Sequence, residues 1–354
     1  MPADEGPSKA HAEAVAEQWR KGLRVALAVS VGFTASVALG AIIPFLGPLF
    51  GAQFLLASSR PMPLAKTVGM AVLIVVAGMF FMLLTGLFQD RQFTFLMLLG
   101  LIYFCCFLAQ AQGKGGPAGF LVLVVAIVVP LLRVLNMELA SSILSILVTG
   151  VLTGAGLTWF AHAIVPETAI ETPQPQQGSA QAHPYLRALA NAAILLSTVA
   201  ICLINNELSA AMVIPITVAS LLGQLDIVSS GRAALGLVIV NLFGGVVASF
   251  AYAVLNVRPN LLFMFVIVLV VALFFGGRAA ARSRDAKIYA GALTTFLILF
   301  GLGVSPLPGS AAESFSTRIL YVAAAIFYTF VTAAVLWTRP EPDEAMPSGQ
   351  RNVS

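Results

Sequence analysis

The sequence predicts an all-α polytopic membrane protein, with about twelve transmembrane helices arranged as two parallel six-helix repeats. Three observations lead there. Of 354 residues, 59% are hydrophobic and only 10% charged, against about 25% charged in a soluble domain. The apolar residues gather into runs near the roughly 20 residues that cross a bilayer. A short segment broken by proline and glycine also occurs twice, about 167 residues apart.

The first repeat spans 19–165, after a cytoplasmic tail at 1–18. Its first run, 23–43, is rich in Ala and Val and follows the basic stretch Trp19-Arg20-Lys21-Gly22-Leu23-Arg24. The second, 45–59, is the first broken segment, Ile43-Pro44-Phe45-Leu46-Gly47-Pro48-Leu49-Phe50-Gly51-Ala52-Gln53. Arg60 and Lys66 lead into the third, 64–88, which contains Gly78. The fourth, 93–111, carries Tyr103, Phe104 and Phe107, which are read as facing lipid. The fifth, 118–136, holds Pro130 and Arg133, and only the turn Arg133 to Glu138 divides it from the sixth, 139–164.

A stretch rich in Pro, Gln, Thr and Ala follows at 166–186, including Pro173-Gln-Pro-Gln-Gln-Gly178. Such a composition buries too little apolar surface to fold and reads as a flexible cytoplasmic linker.

The second repeat, 187–338, opens with the run 188–205 and a turn at Asn205-Asn206-Glu207. The run 208–224 is the second broken segment, with Met212-Val213-Ile214-Pro215-Ile216-Thr217, Gly223 and Gln224. Asp226 and Arg232 bracket the next loop. Then come 231–255, where Asn241 is expected to hydrogen-bond between helices, and 260–277, with Phe274 and Phe275 read as facing lipid. The basic run Arg278-Ala-Ala-Ala-Arg282-Ser-Arg284 leads to 286–304. Glu313 and Arg318 flank the start of the last run, 316–338, before a cytoplasmic tail at 339–354. Arg20 aligns with Arg187, Lys66 with Arg232 and Gly78 with Gly244.

Charge sets the expected orientation. With the N-terminus inside, fifteen of the 19 Lys and Arg fall on the cytoplasmic side. Arg91, Arg133, Arg258 and Arg318 fall opposite. The positive-inside rule then places both termini in the cytoplasm. Six spans per half make both halves enter from the same side, which gives a parallel repeat rather than an inverted one. Residues 1–20 are polar and mixed in charge, so no cleavable signal peptide is expected.

Paired broken segments are a pointer to a transport site. Proline removes a donor and frees a carbonyl in the preceding turn, tolerated in a membrane only against protein or a wet cavity. The candidate substrate path is therefore Pro44, Pro48 and Gln53 with Pro215 and Gln224. Arg133, Glu138 and Arg318 join it as ionisable groups near the spans, where charge is costly and usually functional. An arginine there would pair with a carboxylate substrate. No acid sits mid-span to mark a proton relay.

Other chemistry is not in view. Cys105, Cys106 and Cys202 lie in apolar runs and read as small packing residues. His11, His162 and His183 form no cluster. There is no phosphate-binding loop, nucleophile elbow, zinc helix or dinucleotide fingerprint, and Gly113-Lys114-Gly115-Gly116-Pro117 lacks the ending a phosphate loop needs. No catalytic residue, metal, cofactor or nucleic-acid partner is expected.

The basic cap, the Ala/Val-rich span, the short Gly-Pro segment, the loops Ser59-Arg60 and Gly231-Arg232, and the Gly-containing third span together resemble the fusaric acid resistance-like proteins. That family includes the aromatic acid exporters, and the resemblance covers about 19–338. It implies efflux of aromatic or other small organic acids across the bacterial inner membrane, and the proton gradient is the expected driving force. It also implies a periplasmic membrane-fusion adaptor as partner, and it is compatible with a homo-oligomer. Longer relatives carry sizeable cytoplasmic domains, for which this chain has only the short linker and tail. The rival expectation is a non-transporting membrane scaffold subunit of an envelope or efflux complex. A membrane-embedded enzyme would need a cluster of His, Asp or Glu at one depth, and none is visible.

Overall fold

The computed structural model describes residues 7–58, 60–112, 116–135, 137–166, 184–204, 213–225, 231–281, 285–305 and 315–336. Among these the regular elements are all α-helices. They are α1 (Pro7–Ala38), α2 (Leu46–Ala57), α3 (Leu64–Phe88), α4 (Gln92–Ala111), α5 (Gly116–Leu135) and α6 (Met137–Ile164). Then come α7 (Pro184–Ile204), α8 (Val213–Leu225), α9 (Gly231–Val257), α10 (Leu261–Ala279), α11 (Ala286–Val304) and α12 (Phe315–Leu336). Eight of them, α1, α3, α4, α6, α7, α9, α10 and α11, contain stretches long and apolar enough to cross a membrane. The chain is a multi-pass membrane protein.

The order of helices follows the twelve apolar runs, and the differences lie at the ends. α1 starts at Pro7, so much of the expected tail is helix. It stops at Ala38, short of the predicted 43, because Gly40 takes φ +71. The Gly40 amide donates to the Val37 carbonyl (3.0 Å) and the Ala41 amide to the Ser36 carbonyl (2.9 Å). That pair of bonds closes the last turn around a left-handed glycine. α10 begins where the Asn260 side chain accepts from the Leu262 amide at 2.9 Å, satisfying one of the helix's orphan donors.

The two broken segments are short helices of 12 and 13 residues. At 1.5 Å per residue they reach about 18–20 Å, well under the roughly 30 Å of hydrocarbon. Pro48 and Pro215 are each the third residue of their helix. A first-turn proline gives up a donor that has no intrahelical partner anyway. These prolines therefore mark helix starts, and they free no carbonyl inside a helix. Pro44 lies before α2, in the link that follows α1.

In one half α2 packs on α1 and α6, α3 on α5 and α6, and α4 and α6 on α5. In the other α8 packs on α7 and α12, α9 on α11 and α12, and α10 and α12 on α11. Across the halves α1 lies on α10 and α4 on α7, while α2 also meets α11 and α5 meets α8.

Small residues permit the closest crossings, as expected where lipid removes the hydrophobic drive between helices. A Cβ on Gly22 would sit 2.7 Å from the Gly277 Cα, where α1 crosses α10. A Cβ on Gly154 of α6 would sit 2.9 Å from the Gly51 amide nitrogen and 3.1 Å from the Gly47 carbonyl of α2. Tyr103, Phe107 and Phe275 are buried, which corrects the reading that these aromatics face lipid. Tyr103 sits between α4 and α5, where its hydroxyl donates to the Ala126 carbonyl at 3.3 Å. Phe274 is exposed and keeps the predicted orientation.

Candidate functional site

Five polar side chains from three helices converge near the middle of the second half. Thr217 and Ser220 come from α8, Asn241 from α9, and Thr294 and Thr295 from α11. With Leu221, Ile298 and Leu299 they line a small space holding about one water molecule. Thr217, Asn241 and Thr295 are buried. Asn241 lies near the middle of its helix, and so do Thr294 and Thr295. The Thr295 hydroxyl donates to the Asn241 side-chain oxygen at 2.6 Å, the interhelical bond expected of Asn241. The Thr294 hydroxyl donates to the Ala290 carbonyl at 3.0 Å.

One turn along α8 lies a second cavity of about 150 Å³. It is lined by Thr198, Ile201 and Cys202 of α7, Ile214 of α8, and Ala324, Ala325 and Tyr328 of α12. Its accessible lining is apolar; nearby, the Tyr328 and Ser197 hydroxyls hydrogen-bond each other at 2.6 Å, joining α12 to α7. The residue 167 positions before Ala324 is Leu157, which fills the space beside Gly32 in the first half.

The sequence-predicted residues scatter. Pro44, Pro48 and Pro215 are buried, and Gln53 is half-buried. Arg133 is half-buried near the end of α5, with its guanidinium 3.0 Å from where a Gly86 Cβ would stand on α3. Glu138 is exposed. The side chains of Gln224, Arg232 and Arg318 lie outside the described residues, as do Asn205-Asn206-Glu207, Asp226, Glu313 and most of the 166–186 linker. The structure brings Pro215 to the helix that lines both cavities, and it does not bring Arg133 and Glu138 to either.

Sequence reasoning missed a buried ion pair. Arg24 counts as a cytoplasmic basic residue by position, but its side chain is only 1% exposed. It contacts Glu17, two turns earlier in α1 and 16% exposed, at 2.8 Å. The signal was the seven-residue spacing of opposite charges on one helix face. Arg278 behaves differently: it stays exposed and lies over the rings of Phe274 (5.4 Å) and Tyr289 (5.3 Å). Among the described residues no group of three or more His, Cys, Asp and Glu stands ready for a metal ion.

A family model described as "Protein of unknown function (DUF2955)" matches residues 21–158, from within α1 into α6. No curated protein and no solved structure matches the chain.

Proposed function

We propose that this protein is an efflux transporter of the bacterial inner membrane that exports aromatic or other small organic acids, driven by the proton gradient. The observation that carries the reading is the cavity of about 150 Å³ beside the short helix α8. An apolar cavity of that size accommodates a benzene ring, and the accessible lining here is apolar throughout. The resemblance to the fusaric acid resistance-like proteins points the same way.

The two-repeat architecture belongs to this proposal. The packing of α1 to α6 recurs when each helix number is raised by six, and the α1–α10 contact recurs as α7–α4. An axis along the membrane normal relates two such halves when they enter from one side. Both termini then lie in the cytoplasm, a periplasmic membrane-fusion adaptor receives the substrate, and homo-oligomers are compatible with the exposed faces of α3 and α9.

The test is transport by purified protein in liposomes. Aromatic acid should move under an imposed pH gradient, and no movement under any gradient ends the proposal. A second reading, a non-transporting scaffold subunit, is favoured by the close glycine crossing of α2 on α6. It requires that the short helices be packed and dry.

A further inference from the structure

We propose, resting on the reading of the cavity beside α8 as the ring site, that it opens sideways to the lipid and takes a one-ring aromatic ligand only in its uncharged form. An aromatic acid then enters as the protonated acid and not as the carboxylate.

The lining discriminates against charge. The cavity of about 150 Å³ presents an apolar surface. The hydroxyl protons at its wall are spent. Thr198 donates to the Ile194 carbonyl at 2.8 Å. Ser197 donates to the Ala193 carbonyl at 2.9 Å, which leaves Tyr328 to donate to Ser197 at 2.6 Å. Among the described residues no charged side chain lines the cavity. A carboxylate moved here would give up its water and gain neither a cation nor an unspent donor. Burial of that kind neutralises the group instead. A protonated carboxyl has no charge to desolvate, and a benzene-sized ring fits an apolar space of this volume.

The mouth selects the same species. Ile201 of α7 and Ala324 of α12 both line the cavity and are exposed, Ile201 at 49%. Ile204 on α7 and Phe327 on α12 continue an exposed apolar edge on either side. α7 is long and apolar enough to span the membrane, so this edge faces hydrocarbon, where charged groups are costly. A neutral acid can reach the mouth through lipid, whereas its anion is held in the water.

Binding of benzoic acid is compared with that of benzyl alcohol, which is of similar size and stays neutral. Purified full-length protein in lipid nanodiscs is measured beside Ala324→Leu, which fills the cavity. The apparent affinity for benzoic acid should fall about tenfold for each pH unit above the acid's own pKa, following the uncharged fraction. Benzyl alcohol should bind equally well across that range, and Ala324→Leu should bind neither. If Ala324→Leu does not fold, Cys202→Phe fills the same space from α7. Benzoic acid bound equally well or better as the anion overturns the proposal and leaves an aromatic-acid site standing. Binding of neither ligand to the wild type removes the ring site itself, and so does binding that survives in a folded, filled variant. The opening is tested at its rim. The fluorescence that Ile201→Trp adds over wild type should be quenched by lipids brominated on their acyl chains, and no quenching overturns the opening to lipid.

Discussion

Thr295 donates a hydrogen bond to Asn241 across 2.6 Å, tying α11 to α9 near the middle of both helices. Both residues are buried, so the bond is shielded from bulk water. Hydrogen bonds between membrane helices contribute about 0.6–2 kcal/mol. Thr295→Val keeps the shape and removes the donor. It should destabilise the protein by about 1 kcal/mol, read as a lower midpoint in a denaturant titration. A double-mutant cycle with Asn241→Leu should return a coupling of the same size, and a coupling near zero would show that the pair is incidental.

Glycine positions in α6 should behave in two opposite ways. A Cβ on Gly154 would meet the Phe50 Cβ at 2.8 Å and the backbone of Gly51 and Gly47 at 2.9 and 3.1 Å. Backbone cannot swing aside, so Gly154→Ala must separate α2 from α6 at a cost of about 1–3 kcal/mol. Gly156, two residues on, has nothing within 4 Å. Gly156→Ala should be neutral or stabilising by up to about 1 kcal/mol. Thermal unfolding of the two variants side by side checks the contrast.

The helices were legible because lipid makes their requirement simple: long apolar runs with charge between them. The short helices were legible as sites of proline and glycine, but their meaning was not. Pro48 and Pro215 read as helix breaks, whereas each stands in a first turn where it breaks nothing. Gln53 and Gln224 read as members of one substrate path, and Gln53 is half-buried while the side chain of Gln224 lies outside the described residues. The polar cluster itself was hidden. Thr217, Asn241 and Thr295 sit on three separate runs, and hydroxyls in apolar helices usually bond their own backbone. Only the packing of α8, α9 and α11 shows that they meet. Arg24 was hidden for the opposite reason, since a basic residue near a span end ordinarily snorkels to water.

Filling the apolar cavity tests the substrate reading at one residue. Ala324 lines it, and the residue 167 positions earlier is Leu157. Ala324→Leu should close the space without disturbing the fold, because Ala324 is itself exposed on the cavity side of α12. Export of a one-ring acid should fall at least tenfold, while the unfolding temperature stays within a few degrees. Transport that continues at the wild-type rate would move the ring site elsewhere.

The Glu17–Arg24 pair should respond asymmetrically to substitution. Removing one partner of a buried pair leaves an uncompensated charge and costs about 3–5 kcal/mol, while replacing both with apolar residues is often neutral. Arg24 is the more buried of the two, at 1% exposure against 16% for Glu17. Glu17→Leu should therefore destabilise by about 3 kcal/mol. Adding Arg24→Met should recover at least half of that loss. Chemical denaturation in detergent of both variants gives the answer, and a double variant worse than the single one would mean that Arg24 has a second role.

Cysteine access separates a transporter from a scaffold. Ala52 is buried in α2, on the helix whose Gly47 and Gly51 lie against α6. Ser220 lines the small space beside α8. With Cys105, Cys106 and Cys202 replaced by alanine, Ser220→Cys should react with a small water-soluble thiol reagent, because a site serving transport must open to water during the cycle. Ala52→Cys should stay unreactive, since Ala52 is buried at 3% exposure. Labelling of intact cells and of inverted membrane vesicles would show the side from which Ser220→Cys is reached. If neither cysteine reacts from either side, α8 is as dry as α2, and the scaffold reading replaces the transporter.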